Sequence, residues 1–127
     1  MNLELQLIMI PVSDVDRAKD FYTERVGFVC DHDQRVHETL RFVQLTPPGS
    51  ACSIAFGEGL FGAGDEPGPY QGLQLVADDI EEVHAALAGR GLDVSDVDDQ
   101  AWGRFVYFQD PDGNAWNVQQ LVPMPGG

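Results

Sequence analysis

Residues 104–120 read RFVYFQDPDGNAWNVQQ. Two runs rich in β-branched and aromatic residues flank a DPDG turn, which is the pattern of a β-hairpin. Pro111 presets φ for the first turn position. Asp112-Gly113 or Gly113-Asn114 then supplies the residue with positive φ. Asp110 and Asp112 therefore read as turn makers, not as a paired acid and base. An earlier stretch, RFVQLTPPGSACSIAF at 41–56, resembles this hairpin. Arg41-Phe42-Val43 falls on Arg104-Phe105-Val106 at an offset of 63 residues. After the turn, Gly49 falls on Gly113 and Ala51 on Ala115, at an offset of 64.

A second pair of segments repeats in the same order. VSDVDRAKDFYTERVGF at 12–28 resembles ADDIEEVHAALAGRGL at 77–92, with Asp14 on Asp79, Val15 on Ile80 and Ala18 on Val83 at an offset of 65. Two matching segments in one order point to an internal duplication. In each copy an Asp or Ser precedes an apolar stripe at helical spacing, and its side chain can accept from the free N–H groups of the first turn. Val15, Ala18, Phe21 and Tyr22 form the first stripe; Ile80, Val83 and Leu87 form the second. Gly27 and Gly91 stop the two helices. Strands are expected at LELQLIMIPV, FVCD, TLRFVQLT and ACSIAF in the first copy. In the second they are expected at GLQLVA, LDVSDV, GRFVYFQ and AWNVQQLV. Each copy is then β-α-β-β-β. The expected limits are about 1–58 for the first module, a Gly/Pro-rich linker at about 59–69, and about 70–123 for the second. The tail PMPGG is expected to fray.

Composition narrows the function. The chain has 127 residues, 43% hydrophobic, and a net charge of −14 from 21 acidic and 7 basic residues. One packed domain fits that length. Nucleic acid and anionic membrane surfaces both call for a basic face, so neither is an expected partner. The charge suits cationic ligands. The N-terminus has no basic n-region or small-residue cleavage site, so no signal peptide is expected. Cys30 and Cys52 have no CxxC spacing, which fits free buried thiols in a reducing cytoplasm.

The duplicated β-α-β-β-β unit, the helix signature at 12–28 and the hairpin FVYFQDPDGNAWNVQQ together resemble the vicinal oxygen chelate superfamily, which includes glyoxalase I, bleomycin resistance proteins and extradiol dioxygenases. The resemblance implies an α+β fold, with two tandem βαβββ modules forming curved mixed sheets around a cavity, and commonly a homodimer. Metal-containing members carry one ligand on the first and last strand of each module, usually His, Gln or Glu. Here those positions fall on Leu7 and Gly72, related by the offset of 65, and on Ser53 and Asn117, related by 64. Leu and Gly have no donor atom, and Ser and Asn are neutral oxygens. A first-row divalent ion calls for imidazole, thiolate or carboxylate. No metal and no cofactor are therefore expected. The other residues weighed as ligands are His32, Asp33, His37 and Glu38, near the second and third strands, and Glu58.

Strand parity carried from those positions places Leu5, Met9, Ala55, Gln74 and Gln119 on the same face. Val43, Leu45, Val106 and Phe108 suit the helix side. Phe42, Gln44, Phe105 and Tyr107 are then left for the cavity. Trp102 precedes the seventh strand, where an aromatic would stack on a planar ligand in the bleomycin resistance proteins that this stretch resembles. The expected ligand contacts are thus Leu7, Phe42, Gln44, Ser53, Gln74, Trp102, Phe105, Tyr107, Asn117 and Gln119. The expected function is metal-free binding of a small molecule, aromatic or cationic. The alternative is a glyoxalase- or dioxygenase-like enzyme with an atypical or absent metal site.

Overall fold

A computed structural model describes residues 1–60 and 68–122. The chain divides into two compact units, Met1–Pro69 and Tyr70–Gly127. The expected linker lies largely, and the expected frayed tail 123–127 wholly, outside the described residues.

The first unit runs β1 (Leu7–Met9), α1 (Val15–Asp20), β2 (Val29–His37), β3 (Leu40–Thr46) and β4 (Ser53–Glu58). Its sheet has the order β1-β4-β3-β2, with β1 parallel to β4 and the other pairs antiparallel. The second unit runs β5 (Leu73–Val76), α2 (Ile80–Gly89), β6 (Asp98–Gln100), β7 (Gly103–Gln109) and β8 (Ala115–Leu121). Its order, β5-β8-β7-β6, is the same with the same senses. The βαβββ order is therefore present in both halves.

Matching residues start and stop the helices. Asp14 caps α1 by accepting from Arg17 N–H, and Asp79 caps α2 by accepting from Glu81 and Glu82 N–H. Of the two capping residues open in the first copy, Asp14 is the one used. The chain continues from α1 through a π-helical turn, Phe21–Val26, and stops at Gly27 with φ 93°. Gly91 does the same after α2, with φ 83°.

One face of each sheet packs beneath its helix. In the first unit Val43, Leu45, Ile54 and Phe56 are buried there with Tyr22, whose ring lies 6.1 Å from Phe56 and 5.6 Å from Phe28. In the second, Val106, Phe108, Trp116 and Val118 are buried with Ile80 and Leu87. Burial of large apolar side chains in this way is the main stabilising term, about 1.5–3 kcal/mol for each.

Four expectations need correction. The first strand is only Leu7–Met9, and Leu3 and Leu5 are exposed, because the register with β4 begins at Leu7. The second strand runs nine residues to His37, well past FVCD. LDVSDV is not a strand: Tyr107 N–H donates to the Ser95 hydroxyl instead of a strand carbonyl, and the ladder on that edge starts only at Asp98. Cys30 and Cys52 are half-buried free thiols, not core residues.

Candidate functional site

The DPDGN turn is built from its own side chains. Asp110 is buried, and its carboxylate accepts from Asp112 N–H (2.9 Å), Asn114 N–H (2.8 Å) and the Asn114 amide (2.8 Å). Gly113 takes the positive φ, 85°, and its N–H closes the turn on the Asp110 carbonyl. Asn114, also fully buried, accepts from Tyr70 N–H at 2.8 Å and ties the turn to the start of the second unit. Each oxygen of Asp110 is engaged, as a structural role requires.

Register refines the positions that the resemblance marks for ligands in metal-containing members. Val43 pairs with Phe56, and its counterpart Val106 pairs with Val118. Met9 pairs with Ala55, and Gln74, its counterpart at the offset of 65, pairs with Asn117. Both comparisons make Ala55, not Ser53, the counterpart of Asn117. The cause is the longer TPPGSAC turn, which shifts the offset after it. The slip is two residues, so the face is kept. The four matched positions become Leu7, Ala55, Gly72 and Asn117. Among the described residues no three His, Cys, Asp or Glu side chains gather into a metal-holding group. Asp33 is held by Lys19 (2.8 Å) and Arg41 (2.9 Å), and Glu58 by Arg35 (3.2 Å). His32, His37 and Glu38 are exposed.

Two sets of expected contact residues emerge, one in each unit. In the first, Gln44 lies opposite Ala55 and donates to the Ser53 hydroxyl at 3.3 Å. That hydroxyl lies 2.6 Å from Thr46 Oγ1, which donates in turn to Asp31. Phe42 and Leu7 are half-buried on the same side by parity.

In the second unit Gln74 pairs with Asn117, Asn117 with Tyr107, and Gln119 with Phe105. These five side chains share the face turned away from α2. Gln74 Nε2 donates to Gln119 Oε1 at 2.7 Å, and Gln119 Nε2 donates to the Trp102 carbonyl at 3.1 Å. Gly103 makes room for that reach: a Cβ there would meet Gln119 Nε2 at 2.5 Å and Cγ at 2.9 Å. Phe105 and Tyr107 lie parallel, 6.1 Å apart, and Trp102 meets the Phe105 edge at 6.5 Å. Trp102 is 54% exposed and Tyr107 41% exposed. Tyr107 Oη donates to Asp98 at 2.6 Å. That bond raises the phenol pKa above its ordinary value, helped by burial, and lowers that of Asp98. The Oδ1 atom of Asn117 is buried without a hydrogen-bond partner.

A separate cavity of about 520 Å³ lies at the far end of β7 and β8, lined by Asp93, Ser95, Tyr107, Gln109, Asp110 and Trp116, among others. Of the ten expected contact residues only Tyr107 reaches it. The deep acceptor and the amide relay could not be read from sequence, because register and rotamer create them. The residues that make them, Gln74, Asn117 and Gln119, were expected from the resemblance and strand parity, and Trp102 from the Trp-Gly pair at 102–103.

The chain is similar to several known proteins. A model of the Glyoxalase/Bleomycin resistance protein/Dioxygenase superfamily matches residues 4–118. The solved structure of TnmS3, an antibiotic binding protein from Streptomyces sp. CB03234, is 37% identical with a TM-score of 0.81, covering 95% of this chain and 98% of that one. A glyoxalase/bleomycin resistance protein from the same organism is 37% identical, with a TM-score of 0.76 and coverage of 92% and 100%. A superfamily member from Sphaerobacter thermophilus DSM 20745 is 32% identical, with a TM-score of 0.77 and coverage of 94% and 98%. Extended over nearly its whole length by both sequence and fold, the likeness leads to one conclusion: the chain belongs to the glyoxalase/bleomycin resistance protein/dioxygenase superfamily.

Proposed function

We propose that the protein is a metal-free small-molecule-binding protein that sequesters a planar aromatic compound, with cationic compounds favoured by its charge of −14. The observation that carries this reading is the row Trp102–Phe105–Tyr107 beside the Gln74–Gln119 amide pair on one sheet face. Aromatic faces stack on planar ligands, and a few fixed amides give orientation. The similarity to an antibiotic binding protein supports the same reading. In the second module the site would take contacts from Gln74, Trp102, Phe105, Tyr107, Asn117 and Gln119; Leu7, Phe42, Gln44 and Ser53 would be the corresponding contacts on the first module's own sheet. The working form in this reading is a cytoplasmic homodimer.

The donor set does not fit the metal that the superfamily implies. Of Leu7, Ala55, Gly72 and Asn117, only Asn117 offers a donor, a neutral amide. Catalytic zinc sites normally keep three protein ligands.

Trp102 is the exposed tryptophan, whereas Trp116 is buried and stacked on Phe108. Titration with a panel of planar aromatic antibiotics should quench tryptophan fluorescence, and Trp102→Ala should abolish the response while the protein stays folded. No quenching by any compound of the panel would defeat the binding reading. Elemental analysis of protein purified without chelators should find no stoichiometric Ni, Zn, Fe or Mn. Near-stoichiometric metal that is lost in His37→Ala would favour the enzyme instead.

A further inference from the structure

On the second module's sheet face turned away from α2, the polar side chains around Asn117 direct their hydrogen bonds elsewhere. Gln74 Nε2 is given to Gln119, Gln119 Nε2 to the Trp102 carbonyl, and the Tyr107 hydroxyl to Asp98. Asn117 sits between two of these residues, paired with Gln74 on β5 and with Tyr107 on β7. Its Oδ1 is buried and receives none of their protons. A buried acceptor without a donor costs free energy in the folded state. An apolar side chain of similar size would avoid that cost, so fold stability does not explain an amide here.

We propose that Asn117 Oδ1 is a specificity-determining acceptor, which selects planar ligands carrying an O–H or N–H donor on or beside the ring. The inference rests on the ligand-binding reading above and adds the polarity of the ligand to it. The geometry is consistent across the face. The parallel Phe105 and Tyr107 rings, with Trp102 set at 67° to Phe105, supply the aromatic surface, and Asn117 lies directly opposite Tyr107 on the neighbouring strand. Because Oδ1 is shielded in the free protein, a ligand settling against Tyr107 completes the unfilled bond by parting the side chains over it and turning a donor toward β8. A ligand that presents only acceptors, or a methylated donor, gains no bond from Oδ1 in return for that rearrangement.

Naphthol and its methyl ether differ in that donor alone and make a matched pair of probes. Isothermal titration should show naphthol binding about tenfold more tightly, or better, to the wild-type protein. Asn117→Leu should bring the two affinities to within about twofold of each other. Asn117→Asp, which keeps an acceptor at the position, should retain the preference for naphthol. Asn117→Leu should also melt no lower than wild type, since it removes an unsatisfied polar atom. Equal affinities for the two probes in the wild-type protein would overturn the acceptor role and leave aromatic binding standing. A preference that persists in Asn117→Leu would overturn it as well. Binding of neither probe would count against both the acceptor and the aromatic reading.

Discussion

Asp110 and Asn117 lie seven residues apart and have opposite accounts with hydrogen bonding. Asp110 accepts three bonds within its own turn, whereas Asn117 Oδ1 accepts none. Aspartates in a DPDG sequence invite a catalytic interpretation, yet the turn chemistry alone identified them as architecture. The orphan acceptor could not be found that way, since it depends on which neighbouring amides are committed elsewhere. Replacing Asp110 with Ala strands two backbone N–H groups and the Asn114 amide. The expected loss is about 2–3 kcal/mol in urea denaturation. A loss within experimental error would mean that water satisfies the turn equally well.

At the scale of elements, the duplication preserved a strap as well as a hairpin. Arg41 on β3 reaches Asp16 on α1 (2.8 Å) and Asp33 on β2 (2.9 Å). Arg104 on β7 reaches Glu81 on α2 (2.8 Å) and Asp99 on β6 (2.6 Å). In each module one guanidinium on an inner strand joins the helix to the outermost strand. The two straps differ in burial: the Arg41 side chain is 12% exposed and that of Arg104 30%. Arg41→Ala should cost about 1.5–3 kcal/mol in denaturant titrations, and Arg104→Ala distinctly less, because exposed pairs are screened by solvent. The hydrogen bonds from Arg41 and then Lys19 hold the Asp33 carboxyl well below the usual carboxylate range. A depressed folded pKa gives stability that is present above the unfolded value of about 3.9 and lost as pH falls below it. Acid titration of stability should therefore show a steeper loss below about pH 4 in wild type than in Asp33→Asn. The matching arginines, Arg41 and Arg104, were visible in sequence as parts of the repeat, but their acidic partners were not. Residues 16, 33 and 41 meet only once the strands are laid side by side.

For the whole molecule, charge is the dominant sequence property. With 21 acidic residues against 7 basic ones, self-repulsion opposes the compact state at low ionic strength. Adding salt to about 0.15 M shortens the screening length to about 8 Å and should raise the melting temperature. A falling melting temperature would show that the ion pairs just described outweigh the net repulsion. The fold class, both helices and the two modules were legible because the hydrophobic period and the glycine stops recur in each half. Strand lengths were less so, since LDVSDV carries an apolar alternation but a Ser95 hydroxyl takes the place of a ladder bond. The nine-residue β2 was the larger surprise, and it has a consequence for solubility. It forms an edge of its sheet with Asp31, His32, Asp33, Arg35 and His37 along it, and its register with β3 shifts at Cys30/His32 and again at Arg35/His37. An incoming strand from another molecule would face ionic side chains on an irregular template. The longest edge strand among the described residues is thus a poor seed for fibrils, so the molecule resists strand-by-strand association along that side.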